Sequence, residues 1–429
     1  MNETDLIRLE EFRQLKREIR GSGEYLIVGI DVAKKRHHAF FGTATGKTLQ
    51  RRLVFGNNKE GFERLLVHAE ALKAQHGLGK MVFGMEPTAN YHKPLGEHLI
   101  RRGDRVVLVS GLAVKKNREL LDGRWDKHDT KDGANVADLI SQGKVLYYDL
   151  PTQEVRDLRD LLSLKRRMKR LEHGTRVRIR NHLLAQYFPE LDEYYGEGES
   201  DGLKIVKWCV APSEIAKISY ERFVQLVKPG ARITVGQRER LMAIWKSAHG
   251  SIGCEAGNSL GFVAKTMVEG LEDLKSNIDR VDERILDICK RFPSYPYLLS
   301  IPGVGPAIAA VVIAAIGNPH RFPTAKEVLK LAGLDLSANR SGNTSESAVP
   351  VISKKGNAAL RYAIYQAALI ASVKNQHVMR YYTAQLQGRE RERGIKTKMR
   401  IKLAAKLLVI AWTLMKKQQR FDPVHLERD

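Results

Sequence analysis

Asp31 closes the run Tyr25-Leu26-Ile27-Val28-Gly29-Ile30, and Glu86 closes Met81-Val82-Phe83-Gly84-Met85. Asp129 and Asp132 lie three residues apart in His128-Asp129-Thr130-Lys131-Asp132. Spacing i, i+3 puts the last two on one face of a helix. Carboxylates without His or Cys partners are hard oxygen ligands that suit Mg²⁺ or Mn²⁺. Two such ions about 3.5–4 Å apart clamp the attacking and leaving oxygens of a phosphoryl transfer. Each acid alone has a plain structural role: Asp31 can cap a turn, and Asp129 can cap a helix. Their order along the chain sets them apart from incidental acids.

That order needs a sheet to gather it. The apolar run at 25–30 suits a buried strand, and 37–42 and 48–55 read as two more, joined at Thr45-Gly46. A helix follows at about 58–76, with Phe62, Leu65, Leu66 and Ala69 on one face, then a strand at 81–85, a helix at 91–102, a strand at 105–109 and a helix at about 130–141. The order β-β-β-α-β-α-β-α predicts an α/β domain, a mixed sheet flanked by helices. An acid after the first strand, another after the fourth and a pair on the last helix are the layout of ribonuclease-H-like nucleases. Sugar kinases and chaperone ATPases on that fold have glycine-rich phosphate loops, and this chain has no GxGxxG or Walker pattern.

From Pro151 onward the pattern is helical. Leu161, Leu164, Met168 and Leu171 form a seam, surrounded by Lys165, Arg166, Arg167, Lys169 and Arg170. These side chains can track phosphates or simply face water. Residues 187–258 read as an inserted helical subdomain. Residues 259–290 read as a second long helix with Phe262, Met267, Leu271, Leu274, Ile278, Ile285 and Ile288 on its buried side. The two long helices are expected to pair, within the chain or between chains. The expected divisions are an N-terminal helical extension (1–24), the acid-bearing domain (25–150), a coiled-coil linker with its insertion (151–292) and a helical C-terminal domain (293–429).

The C-terminal part holds two further motifs. Ile301-Pro302-Gly303-Val304-Gly305-Pro306 precedes an apolar helix and resembles a helix-hairpin-helix turn, whose backbone N–H groups, at Gly303 and Gly305, would hold a phosphate. Leu331-Ala332-Gly333-Leu334-Asp335-Leu336 leads into a polar loop that ends at Ser353-Lys354-Lys355-Gly356-Asn357. A serine in that loop beside Lys354, Lys355 and Arg361 has the ingredients of a phosphoryl-accepting nucleophile. The residues themselves leave Ser337, Ser341, Ser345 and Ser347 open.

Composition narrows the partners. With 72 Lys and Arg against 49 Asp and Glu, the 429-residue chain carries a formal charge of +23. Such an excess fits a polyanion, and nucleic acid is the expected one. At 43% hydrophobic residues the chain is not disordered throughout. Its longest apolar run, 307–316, is about half the roughly 20 residues of a membrane helix. Met1–Gly21 has no apolar signal-peptide core. Cys209, Cys254 and Cys289 lie at no zinc-binding spacing and are expected to stay reduced. A cytoplasmic, nucleoid-associated prokaryotic protein is therefore expected, with no membrane partner.

Taken together, GIDVAK at 29–34, MEPTANY at 85–91, HDTKD at 128–132, IPGVG at 301–305, AGLDL with RSG at 332–342 and SKKGNAALR at 353–361 resemble the IS one-ten family of insertion-sequence transposases. These are bridge-RNA-guided recombinases with pilin-inversion recombinases as relatives. The resemblance implies a RuvC-like domain whose DEDD set is Asp31, Glu86, Asp129 and Asp132. It implies a transposase domain whose nucleophile is the serine of the Ser-Gly pair, Ser341, with Arg340 beside it. It also implies a covalent phosphoserine link to DNA, donor and target DNA as substrates, a structured guide RNA, and dimers assembling into a tetramer with composite sites. The alternatives are an invertase that needs no RNA and a hydrolytic RuvC-like junction nuclease. One departure stands out: MEPTANY has Pro87 and Ala89 where a small residue and a glycine are expected.

Overall fold

The computed structural model describes residues 3–122, 129–194, 201–230, 232–337 and 351–426. The chain divides into two compact units, residues 1–151 and 152–429.

The first unit is built on one six-stranded sheet. Its elements are α1 (Glu3–Glu18), β1 (Tyr25–Asp31), β2 (Arg36–Thr43), β3 (Thr48–Gly56), α2 (Lys59–Gln75), β4 (Lys80–Met85), α3 (His92–Arg102), β5 (Val106–Leu108), α4 (Gly111–Asp122), α5 (Asp129–Ser141) and β6 (Leu146–Tyr147). The strand order is β3-β2-β1-β4-β5-β6. β1 pairs antiparallel with β2 and parallel with β4, β4 pairs parallel with β5, and β6 closes the far edge antiparallel. This mixed sheet is consistent with the ribonuclease-H-like layout expected from the acids.

β1 is buried along its length up to Asp31, so its alternate residues feed two cores. Leu26, Val28 and Ile30 pack with Phe62, Leu65, Leu95 and Leu99 of α2 and α3. Tyr25 and Ile27 pack on the opposite side with Val136, Ala137 and Ile140 of α5. Leu15 and Ile19 join that second core, which makes the N-terminal helix part of this unit. The Arg8 guanidinium donates to the Tyr148 carbonyl at 2.7 Å and ties α1 to the chain beyond β6.

Two elements depart from the expected order. α4 lies between β5 and α5, and β6 follows α5. α4 carries a short apolar signal: Val114 is buried, while Leu112 is 57% exposed. β6 is two residues long, too short for a periodic pattern.

The second unit is largely helical. α6 (Gln153–Arg178) continues through a π-helical turn (Ile179–Leu184) into α7 (Ala185–Tyr187). Then come α8 (Asp201–Trp208), α9 (Pro212–Ala216), α10 (Tyr220–Val227), α11 (Val235–Ala248) and α12 (Leu260–Cys289). α13 (Tyr295–Leu299), α14 (Pro306–Ile316), α15 (Ala325–Ala332), β7 (Leu336–Ser337), β8 (Val351–Ile352), α16 (Ala358–Lys374), α17 (Gln376–Leu386) and α18 (Ile395–Lys417) complete it.

α6 and α12 pack on each other within the chain. The buried stripe of α12 is Leu260, Ala264, Val268, Leu271, Ile278, Val281, Ile285 and Ile288. Phe262 is 76% exposed, a correction to the expected stripe. At 100° per residue it stands about 200° round the helix from Leu260. The seam of α6 is likewise used in part: Leu161 and Met168 pack inward, while Leu164 and Leu171 stay exposed. The segment between the long helices packs around Phe188, Ile205, Phe223 and Leu241, in a core it shares with Ala264, Val268 and Leu271 of α12. Among the described residues no helix is long and apolar enough to cross a membrane. All three cysteines are free, and burial pushes the Cys289 thiol up to about 11.

Candidate active site

The parallel register pairs Ile30 with Met85. The next residues, Asp31 and Glu86, therefore stand side by side at the same end of two adjacent strands. Strand ends of this kind are where open α/β sheets build their sites. Both acids are partly exposed. Across the β1–β2 ladder Asp31 faces His38, whose Nδ1 lies 4.0 Å from the Asp31 Oδ2. Glu86 lies against the start of α4: a Cβ added at Gly111 would be 2.6 Å from the Glu86 Oε1.

Asp132 reaches the same region through helix–strand contact. A Cβ at Gly29 of β1 would lie 2.2 Å from the Gly133 carbonyl oxygen and 2.7 Å from the Ala137 nitrogen. The backbones of β1 and α5 therefore touch, which only glycine at position 29 permits. That contact brings the residue beside Gly133, Asp132, against the strand that ends in Asp31. Asp132 is buried, 5% exposed. Asp129 is the first residue of α5, and its side chain lies outside the described residues.

α4 holds α5 in place through buried polar contacts. The Asn117 carboxamide donates to Asn135 Oδ1 and to Asp138 Oδ2, each at 2.7 Å. Asn135 in turn donates to the Val114 carbonyl at 2.8 Å. Satisfied networks of this kind rigidify a core. The next residue of α4, Arg118, donates from its guanidinium to Asp132 Oδ1 at 2.5 Å. Arg118 is absent from the expected site because its helix was not expected. Its one signal in the sequence is a basic residue shortly before the HDTKD motif.

Two loops frame the acids. The turn after Asp31 is held from outside: the buried His37 Nδ1 accepts from the Ala33 N–H at 3.1 Å, and Asn57 Nδ2 donates to the Lys34 carbonyl at 3.3 Å. Burial holds the His37 pKa below the ordinary histidine value, against an opposing contribution from Asn57. The loop after Glu86 contains Ala89 at φ 46°, in the left-handed region. This is where the expected glycine would sit without strain, which gives the departure at MEPTANY a physical reading.

In the second unit the AGLDL and SKKGN motifs meet. Ser353 N donates to the Asp335 carbonyl at 2.8 Å, Lys354 N to the Gly333 carbonyl at 3.0 Å, and Asn357 N to the Leu331 carbonyl at 2.7 Å. The Ser353 hydroxyl donates to Asp335 Oδ1 at 2.5 Å, and the Arg361 guanidinium donates to the Ala332 carbonyl at 2.8 Å. β7 and β8 pair antiparallel, with Ser337 opposite Val351. Lys354 has φ 55° and is exposed beside Lys355. This clasp closes the base of the loop in which Ser341 and Arg340 lie, both outside the described residues.

The remaining basic and glycine positions vary in setting. Lys165 pairs with Asp282, and Lys169 pairs with Glu172 at 2.9 Å. Arg166, Arg167 and Arg170 lie on the same helix. A Cβ at Gly303 would lie 2.2 Å from the Ala367 carbonyl oxygen, so close contact with α16 alone requires glycine there. Gly305 precedes Pro306 at the start of α14.

The donor types fit a hard divalent cation: Asp31 and Glu86 at the strand ends and Asp132 on α5 offer carboxylate oxygens. Among the described residues no three acidic, His or Cys side chains converge on a single point.

Residues 28–189 match a DEDD transposase family profile, and residues 295–383 match the profile of the transposase IS116/IS110/IS902 family. The chain is 26% identical to the insertion element IS110 uncharacterized 43.6 kDa protein of Streptomyces coelicolor, over 91% of this chain and 94% of that protein. It is 22% identical to the mini-circle putative transposase for IS117 of the same organism, over 71% and 75%. It is 25% identical to the transposase for insertion sequence element IS1111A of Coxiella burnetii, over 69% and 68%. The strand ends that carry Asp31 and Glu86 lie inside the first profile and the clasp inside the second, and the chain belongs to the IS110 family of transposases.

Proposed function

We propose that this transposase excises and inserts its element by serine-mediated strand exchange, with Ser341 as nucleophile and Asp31, Glu86, Asp129 and Asp132 as the metal-binding acids. The observation that supports the reading is that Asp31 and Glu86 end adjacent parallel strands, while α5 packs on β1 through Gly29 and Gly133, the neighbour of Asp132. In the step, the Ser341 Oγ bonds to a DNA phosphorus while the bond to a deoxyribose oxygen breaks. The serine proton leaves with that oxygen or with solvent. Rejoining reverses the exchange, so the bond energy of the phosphodiester is retained and no external energy is needed. Bound Mg²⁺, or Mn²⁺ in its place, would supply charge stabilisation at the phosphoryl oxygens.

The same reading assigns residues 25–150 to a RuvC-like domain, 151–292 to a coiled-coil linker and 293–429 to the transposase domain. Lys354, Lys355, Arg361, Arg340 and the Lys165–Arg170 cluster would contact nucleic acid, with Gly303 and Gly305 holding a phosphate. A structured bridge RNA and a tetramer built from dimers complete the proposal. The +23 charge supports nucleic-acid partners.

The test is expression with native flanking DNA, followed by peptide mass spectrometry for a protein–DNA adduct. An adduct on Ser341, lost in Ser341→Ala with DNA binding retained, is expected. Cleaved DNA with no serine adduct would move the assignment to a hydrolytic nuclease. Strand exchange by RNA-free protein would leave an RNA-independent invertase.

A further inference from the structure

We propose that the groove along the open edge of β3, walled by Arg36, Arg52 and Arg64, holds the phosphodiester backbone of the substrate DNA next to the acid end of β1. The inference rests on reading that end as the cleavage site.

The groove has a volume of about 700 Å³ and is lined also by Gln50, Phe55 and His68. Its three arginines come from different elements: Arg36 from β2, Arg52 from β3 and Arg64 from α2. None of the three is in an ion pair with a carboxylate among the described residues. Three guanidinium groups gathered in one groove repel one another unless an anion lies between them. Arginine is the side chain best matched to phosphate, through its planar fork of donors. β3 is also an edge strand, so its outer backbone groups face the groove rather than another strand.

Two side-chain approaches link the groove to the first acid. The Arg52 Nη2 lies 3.4 Å from the His38 Nε2, and the His38 Nδ1 lies 4.0 Å from the Asp31 Oδ2. One imidazole therefore spans the interval between the arginine groove and the first acid. A strand whose scissile phosphate lies at Asp31 and Glu86 has this groove as its adjoining cationic surface, which favours substrate DNA as the occupant over RNA.

The test measures binding of full-length protein to a fluorescein-labelled duplex of the native flanking DNA across a salt series. The triple Arg36→Gln, Arg52→Gln, Arg64→Gln variant is expected to bind at least tenfold more weakly. Its log–log salt slope should fall by about 0.9 for each phosphate that is no longer neutralised. The matching triple Arg→Lys variant, which keeps the charges, should retain most of the slope. Wild-type affinity and slope in the Arg→Gln triple overturn the proposal. Loss of RNA binding with DNA binding unchanged also overturns it and gives the groove to RNA. If the triple variant misfolds by circular dichroism, single Arg64→Gln, on the exposed side of α2, is read for its own slope change. Asp31→Asn run in parallel separates the two readings. Intact cleavage in that variant removes the acid site, while the arginine effect on binding stands or falls alone.

Discussion

The Arg118 guanidinium lies 2.5 Å from the Asp132 carboxylate, joining the end of α4 to the acid-bearing face of α5. Asp132 is buried and Arg118 is 27% exposed at its side chain, so the ion pair closes over the acid from the solvent side. A cation thus balances a carboxylate that the proposed chemistry needs for metal. A divalent ion at Asp132 has to compete with that guanidinium.

Arg118→Gln is therefore expected to raise the apparent affinity for Mg²⁺ severalfold, read by isothermal titration or by Mn²⁺ paramagnetic resonance. Without metal the same variant should lose about 1–3 kcal/mol of stability, because a buried acceptor loses its charged donor. Unchanged metal affinity would show that Asp132 does not ligate.

Gly29→Ala should destabilise the first unit by about 1–3 kcal/mol or more, since its Cβ would meet backbone atoms rather than a flexible side chain. Denaturant unfolding measures the loss. Metal-dependent cleavage should fall further than the unfolded fraction accounts for, because the substitution moves Asp132 away from Asp31. Cleavage that tracks the folded fraction would remove the spacing argument.

Ala89→Gly should stabilise by about 0.5–1 kcal/mol. The left-handed backbone at φ 46° costs an alanine about 1–2 kcal/mol, partly offset by glycine's greater freedom when unfolded. A raised denaturation midpoint with unchanged slope is the expected result.

His37 gives the stability a pH dependence with a definite sign. Burial depresses its folded pKa, so the unfolded chain takes up the proton first as pH falls below about 6.5. The contribution of neutral His37 is present above that value and is lost on acidification through the folded pKa. His92 and His320 are shifted the same way by burial. His37→Gln should flatten part of the slope of unfolding free energy against pH in this window. An unchanged slope would assign the acid sensitivity to the other histidines.

β1 and β4 were legible because they are near-continuous apolar runs, and the end of each run placed Asp31 and Glu86. The two helices of the acid site differed. α5 shows a periodic apolar face at Val136, Ala137 and Ile140, whereas α4 turns polar residues inward through Asn117 and Arg118. Phe262 was misplaced for the opposite reason: a large apolar residue at a helix start stands exposed, out of phase with Leu260 and Ala264. The meeting of AGLDL with SKKGN depends on backbone hydrogen bonds between segments some twenty residues apart, which no local pattern encodes.

That clasp has a consequence for how the family can vary. Ser337 and Val351 are paired across the β7–β8 ladder, so the chain leaves the helical core and returns to it at one point. Residues added or removed between them need not shift α15 or α16, since loop closure grows only slowly with length. The pairing thus separates the length of the segment that holds the proposed nucleophile from the packing of the helices on either side of it.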